Sequence, residues 1–145
     1  MKSCSRGDHP EVRDYGSEPI AFNLRHATTM NQSFRTALWT GCHLQLTVMS
    51  IPAKSDIGAE MHSDVDQLIY VERGQARVLM GHCKSSLREM GCIAEGYAVI
   101  IPAGTWHNIV NAGCRSLKVF SIYAPPQHPV GTVHKTKADA DGCGH

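Results

Sequence analysis

No stretch of this chain holds enough consecutive apolar residues to cross a bilayer. Its opening, MKSCSRGDHPEVRDYGSEP, lacks the apolar core of a secretory signal. A cytoplasmic protein without a membrane partner is therefore expected. Charge of one sign is equally scarce. Lys and Arg number 14 against 13 Asp and Glu, a formal net charge of +1. Such a balance leaves no polybasic patch and argues against a nucleic-acid partner. The six cysteines (Cys4, Cys42, Cys83, Cys92, Cys114 and Cys143) include no C-x-x-C pair and give no zinc-ribbon spacing. In a cytoplasmic chain thiols stay reduced, so these are read as free structural cysteines. Also missing are a long amphipathic helix, an internal repeat and a low-complexity segment.

What is present is one domain's worth of short strands. The chain has 145 residues, of which 42% are hydrophobic and 19% charged, enough for one real core. Residues 1–19 are polar and read as a loose arm, 20–125 as the folded body, and 126–145 as an extended strap with a frayed tail. HLQLTVMSI (43–51) alternates, with Leu44, Leu46 and Val48 on one face and Gln45, Thr47 and Met49 on the other. QLIYVE (67–72) and QARVLM (75–80) meet at Arg73-Gly74, a hairpin signal. YAVII (97–101), WHNIVN (106–111) and SLKVFSIY (116–123) continue the series. Many short strands at regular spacing predict an all-β antiparallel sandwich or barrel.

Polar residues gather near the strand ends. Glu60 and His62 lie two apart, on one face of an extended segment. Four residues separate His62 from Gln67, and six separate Gln67 from Gly74. In GYAVIIPAGTWHNIVN (96–111), Gly96, Pro102, Gly104, His107 and Asn111 are separated by five, one, two and three residues. Pro102 and Gly104 force a tight bend before the strand that carries His107. A lone histidine there would read as a core residue satisfied locally. The company it keeps favours a ligand.

The second spacing resembles the second signature of the cupin superfamily at every defined position. The first signature normally reads His-x-His, three or four residues, Glu, six residues, Gly. Here it stands as Glu60-x-His62, four residues, Gln67, six residues, Gly74, with every spacing kept and two ligand types exchanged. The chain is also similar to the small bacterial cupins named for mannose-6-phosphate isomerase, through FRTALWTG (34–41), DQLIYVERG (66–74) and SIYAPPQHPVGTVHKTKADA (121–140). The resemblance implies a single-domain jelly-roll β-barrel. It also implies that Glu60, His62, Gln67 and His107 converge on one metal.

Two imidazoles, a carboxylate and an amide oxygen form a mixed N/O set suited to divalent Fe, Mn, Ni, Co or Zn, with positions left for water or substrate. Asp64 and Asp66 read as solvated loop residues, either of which could substitute as a ligand. Arg35, Trp39, Gln45 and Tyr123 are candidates for lining the barrel mouth; the alternatives are a surface cation, core aromatics and an outward polar face. His128 and His134 anchor the strap or, for His134, reach a neighbouring subunit. Three functions are open: a Lewis-acid enzyme such as an isomerase acting on a small sugar-like molecule, a non-heme iron oxygenase, and a non-catalytic small-molecule binding module. A homodimer is the expected assembly.

Overall fold

The computed structural model describes residues 11–142. In chain order the elements are α1 (Leu24–Met30), β1 (Arg35–Thr40), β2 (Gln45–Ile51), β3 (Asp66–Arg73), β4 (Gln75–Gly81), a single 3-10 turn (Lys84–Ser86), β5 (Arg88–Ala94), β6 (Ala98–Ile101), β7 (Trp106–Asn111), β8 (Leu117–Ala124), β9 (Val133–His134) and α2 (Lys137–Gly142). They form two antiparallel sheets, one of six strands in the order β6-β3-β8-β2-β1-β9 and one of three in the order β5-β4-β7. This is the expected all-β jelly roll.

Alternation in β2 is as the sequence reads, and the face carrying Gln45, Thr47 and Met49 is the inner one. Leu46 and Val48 face outward, where Leu38, Ala27 of α1 and the half-buried Phe22 and Phe120 cover them. Met49 and Ile51 point the other way, into the main core with Val71, Ile101, Ile109, Leu117 and Val119. Gln45 and Thr47 share that inward face, and both are fully buried. The apolar face can be the outer one because α1 shields it. This helix starts at Asn23, whose side chain accepts a hydrogen bond from the His26 amide.

Arg73-Gly74 is not a hairpin. β3 pairs with β6 and β8, whereas β4 pairs with β5 and β7, so the chain passes from one sheet to the other at this corner. Gly74 takes φ 105, and a Cβ on it would lie 3.2 Å from Leu117 Cδ1, so the crossing needs glycine. β5 has no clear alternation in REMGCIA and was not expected.

The segments at the ends are tied down. Asp14 accepts from Thr40 Oγ1 at 2.6 Å, from the Gly131 amide at 2.9 Å and from the Gly16 amide at 2.9 Å. The part of the arm within the described residues is therefore fixed to β1 and to the strap rather than loose. The strap adds β9 to β1 through Arg35↔His134 and Thr36↔Val133. Beyond it, α2 inserts Ala140 into the core and pairs Lys137 with Asp56. Cys42, Cys83, Cys92 and Cys114 are free and exposed, so they are surface residues rather than packing ones; Cys4 and Cys143 lie outside the described residues. No described helix is long and apolar enough to cross a membrane.

Candidate metal centre

The stretch before β3 acts as a further strand along β7. The Ile57 amide donates to the Ile109 carbonyl, and Glu60 and His107 exchange both backbone hydrogen bonds at 2.9 Å. Residues opposed in this way present their side chains to the same face. His62, two residues on, shares that face, and its carbonyl accepts from the Gly104 amide at 2.8 Å. Gly104 has φ 82, a conformation glycine adopts without strain. Asp66 Oδ1 accepts from the Ala103 amide at 2.9 Å, so this aspartate supports the turn that delivers His107.

One ligand atom each from Glu60, His62 and His107 lies within 4.8 Å of the others. His62 Nε2 is 3.5 Å from Glu60 Oε2, and the two imidazole centroids are 5.5 Å apart. His107 is fully buried. Its Nδ1 lies 3.0 Å from the Thr105 carbonyl; a carbonyl only accepts, so Nδ1 carries the proton. Nε2 therefore presents a lone pair, and no hydrogen-bond partner among the described residues meets it. Burial pushes the His107 pKa down, with the Thr105 bond opposing, which keeps the ring in the neutral, ligating form. Burial also raises the Glu60 pKa, against the pull of Arg35.

Gln67 alternates with Ile69 and Val71 of the main core, so it looks into the same interior. Its amide nitrogen reaches Ser121 Oγ at 3.4 Å, while Oε1 has no hydrogen-bond partner among the described residues. A buried acceptor left unpaired costs about 1–3 kcal/mol, and His107 Nε2 and Gln67 Oε1 are two such atoms among the described residues. The donor set fits a first-row divalent ion.

The mouth-lining candidates separate. Arg35 is buried beside the centre, with Nη2 3.8 Å from Glu60 Oε1. Tyr123 is also buried, its ring 5.9 Å from His62, and burial raises its pKa, so its hydroxyl stays a neutral donor. Gln45 is inside but fully engaged. It donates to Thr40 Oγ1 and the His128 carbonyl and accepts from the Gln127 and His128 amides. Trp39 is not at the mouth. It packs on the outer face near α1, and its Nε1 donates to the Glu18 carbonyl at 2.8 Å, because a bulge between Ala37 and Trp39 shifts the register of β1.

Asp64 lines the cleft beside the centre with Glu60, His62, Ser63, Lys84, Trp106 and Gln127; the space measures about 410 Å³. Lys84, Trp106 and Gln127 were not picked out from sequence, since they come from a turn, a strand end and the strap and no spacing links them. His134 accepts at Nδ1 from Arg35 Nη1 at 3.2 Å, and the His128 ring meets Tyr123 edge-on at 5.2 Å. Both strap histidines thus point into the barrel.

Residues 47–123 match the Cupin domain family, and the chain belongs to it. It is 50% identical over 129 residues to YrkC, an uncharacterized protein of Bacillus subtilis (strain 168), covering 89% of this chain and 69% of that one. It is 38% identical over 123 residues to the uncharacterized protein L612 of Acanthamoeba polyphaga mimivirus, covering 84% and 75% of the two chains. The crystal structure of BH2720 from Bacillus halodurans superposes with a TM-score of 0.89 at 52% identity, over 90% of this chain and 99% of that chain. The protein is thus a cupin with a cluster of Glu60, His62 and His107 able to bind a metal ion.

Proposed function

We propose that this cupin is a metal-dependent enzyme acting on a small, oxygen-rich, sugar-like molecule, with isomerisation of a hydroxycarbonyl compound as the reaction class. The supporting observation is the Glu60/His62/His107 cluster at a cleft walled by Ser63, Asp64 and Gln127. Glu60, His62 and His107 hold the metal, with Gln67 Oε1 as a fourth donor. A divalent ion supplies a Lewis acid for a carbonyl or hydroxyl oxygen. Tyr123 supplies a hydrogen bond from its protonated hydroxyl, and Trp106 closes one side of the cleft against water. Among the described residues Lys84 is the one cation lining the cleft, which favours an unphosphorylated ligand over a sugar phosphate.

The test is proton exchange. Metal-replete protein is incubated in D2O with a panel of small hydroxyaldehydes, hydroxyketones and sugar acids, and deuterium entry next to the carbonyl is followed by NMR. Exchange that disappears in His107→Ala supports the reading; no exchange across the panel with metal bound overturns it. A second reading, a non-heme iron oxygenase, is favoured by the two-histidine, one-carboxylate donor set. Iron as the dominant metal in protein purified without added metal, with oxygen uptake on ligand addition, would select it.

A further inference from the structure

Arg35 holds a charge that the metal centre alone does not explain. It is only 2% exposed, and a guanidinium stays protonated however deeply it lies. Its partners are modest. Nη1 donates to His134 Nδ1 at 3.2 Å, Nη2 meets the Met49 sulfur at 3.9 Å, and the group lies 5.6 Å from the Phe34 ring centroid. Among the described residues the one carboxylate it pairs with is Glu60, at 3.8 Å, too far for a hydrogen bond. Arg35 Nε has no hydrogen-bond partner among the described residues.

Glu60 is shared. Its Oε1 faces Arg35 and its Oε2 faces His62. With neutral imidazoles and a divalent ion, Glu60 would be the one carboxylate among the described residues in contact with both the ligand cluster and the guanidinium, the exposed Asp141 acting on it only through space. The interior would keep an excess of about two positive charges, in surroundings where uncompensated charge is expensive. Hydroxide on the ion would offset at most one of these charges and leave the guanidinium unmatched, whereas an anionic ligand can meet both. An alkyl carboxylate with a neighbouring oxygen matches the guanidinium through its paired oxygens and offers the second oxygen to the metal.

We propose that the ligand of this site is a small 2-hydroxy- or 2-oxocarboxylate whose carboxylate is countered by Arg35. The inference rests on the metal-centre reading and narrows its substrate class from sugar-like molecules in general to acids.

The probes are glycolate and its neutral analogue glycolamide, titrated calorimetrically into manganese-loaded and chelator-treated protein, with metal content measured in parallel. The loaded wild type should bind glycolate roughly ten- to a hundredfold more tightly than glycolamide, the range a charge-assisted hydrogen bond supports. Arg35→Gln should keep its metal and lose that preference. Arg35→Lys, which restores the charge without the fork, should recover part of it. Equal affinities for the two probes in the wild type, or an unchanged preference in Arg35→Gln, overturns the inference. If the wild type takes up no metal, the metal reading fails. An Arg35-dependent preference for glycolate would then still uphold the anion site, and its absence would sink both.

Discussion

Replacing Gln45 with methionine should loosen the strap without touching the metal. Gln45 is fully buried and uses both ends of its amide. Its nitrogen donates to Thr40 Oγ1 at 3.0 Å and to the His128 carbonyl at 2.8 Å; its oxygen accepts from the His128 amide at 2.8 Å and the Gln127 amide at 3.1 Å. Methionine matches the length and volume, so no large cavity opens. What is lost is polar satisfaction. The N–H and C=O of His128, a residue only 5% exposed, are stranded, and each such group costs about 1–3 kcal/mol. The expected loss is about 3 kcal/mol, a large part of the ~5–15 kcal/mol typical of a domain, or a fall in Tm of roughly 10 °C. Urea unfolding gives the first number, and hydrogen exchange at the 127 and 128 amides shows whether the strap is the part released. Metal content should equal that of the wild type. A loss under 1 kcal/mol, or a folded variant stripped of metal, would refute the assignment of Gln45 to the strap rather than to the ligand.

Three further expectations follow from the same geometry. Asp14→Asn should cost about 1–2 kcal/mol at neutral pH, allowing for the partial exposure of the site. Burial raises the carboxyl's pKa, but bonds from Thr40, Gly131 and Gly16 outweigh this and hold it below its ordinary value. The wild-type advantage should therefore be complete above pH ~4 and fade as pH falls through the lowered value; a difference that grows in acid contradicts this. Gln67→Glu adds an anion to the centre and should slow metal loss to a chelator; equal or faster loss means that Oε1 does not face the ion. Trp39→Phe removes the bond to Glu18 and part of the ring's packing on the outer cluster and should cost about 1–3 kcal/mol with metal and glycolate binding unchanged. Loss of either in a folded variant would return Trp39 to the site.

The strands and the ligand pattern were legible because both depend on local spacing. Period-two alternation marked β2, short apolar runs between turn signals marked β3, β4, β6, β7 and β8, and Pro102 and Gly104 marked the turn that places His107. The inside of the barrel was not legible. Alternation says that Gln45 and Thr47 share a face, but not that this face is the interior. That depends on α1 covering Leu46 and Val48, a tertiary fact. Arg73-Gly74 has the composition of a hairpin, yet glycine serves equally well where the chain changes sheets, and only long-range pairing distinguishes the two. Arg35 and Trp39, four residues apart, were weighed alike; the bulge in β1 sends one inward and the other out. His134 reaches the interior because β9 pairs with β1, and His128 because Gln45 holds its backbone, links between residues 99 and 83 positions apart.

The central claim is that Glu60, His62 and His107 hold one divalent metal in the barrel. Its most direct test is the metal stoichiometry of wild type and His107→Ala by plasma mass spectrometry, with circular dichroism confirming that both are folded. The expected result is close to one ion per chain in the wild type and almost none in the variant, whose core of Ile51, Val71, Leu117 and Val119 remains intact. A folded His107→Ala protein that retains its full complement of metal would contradict the account.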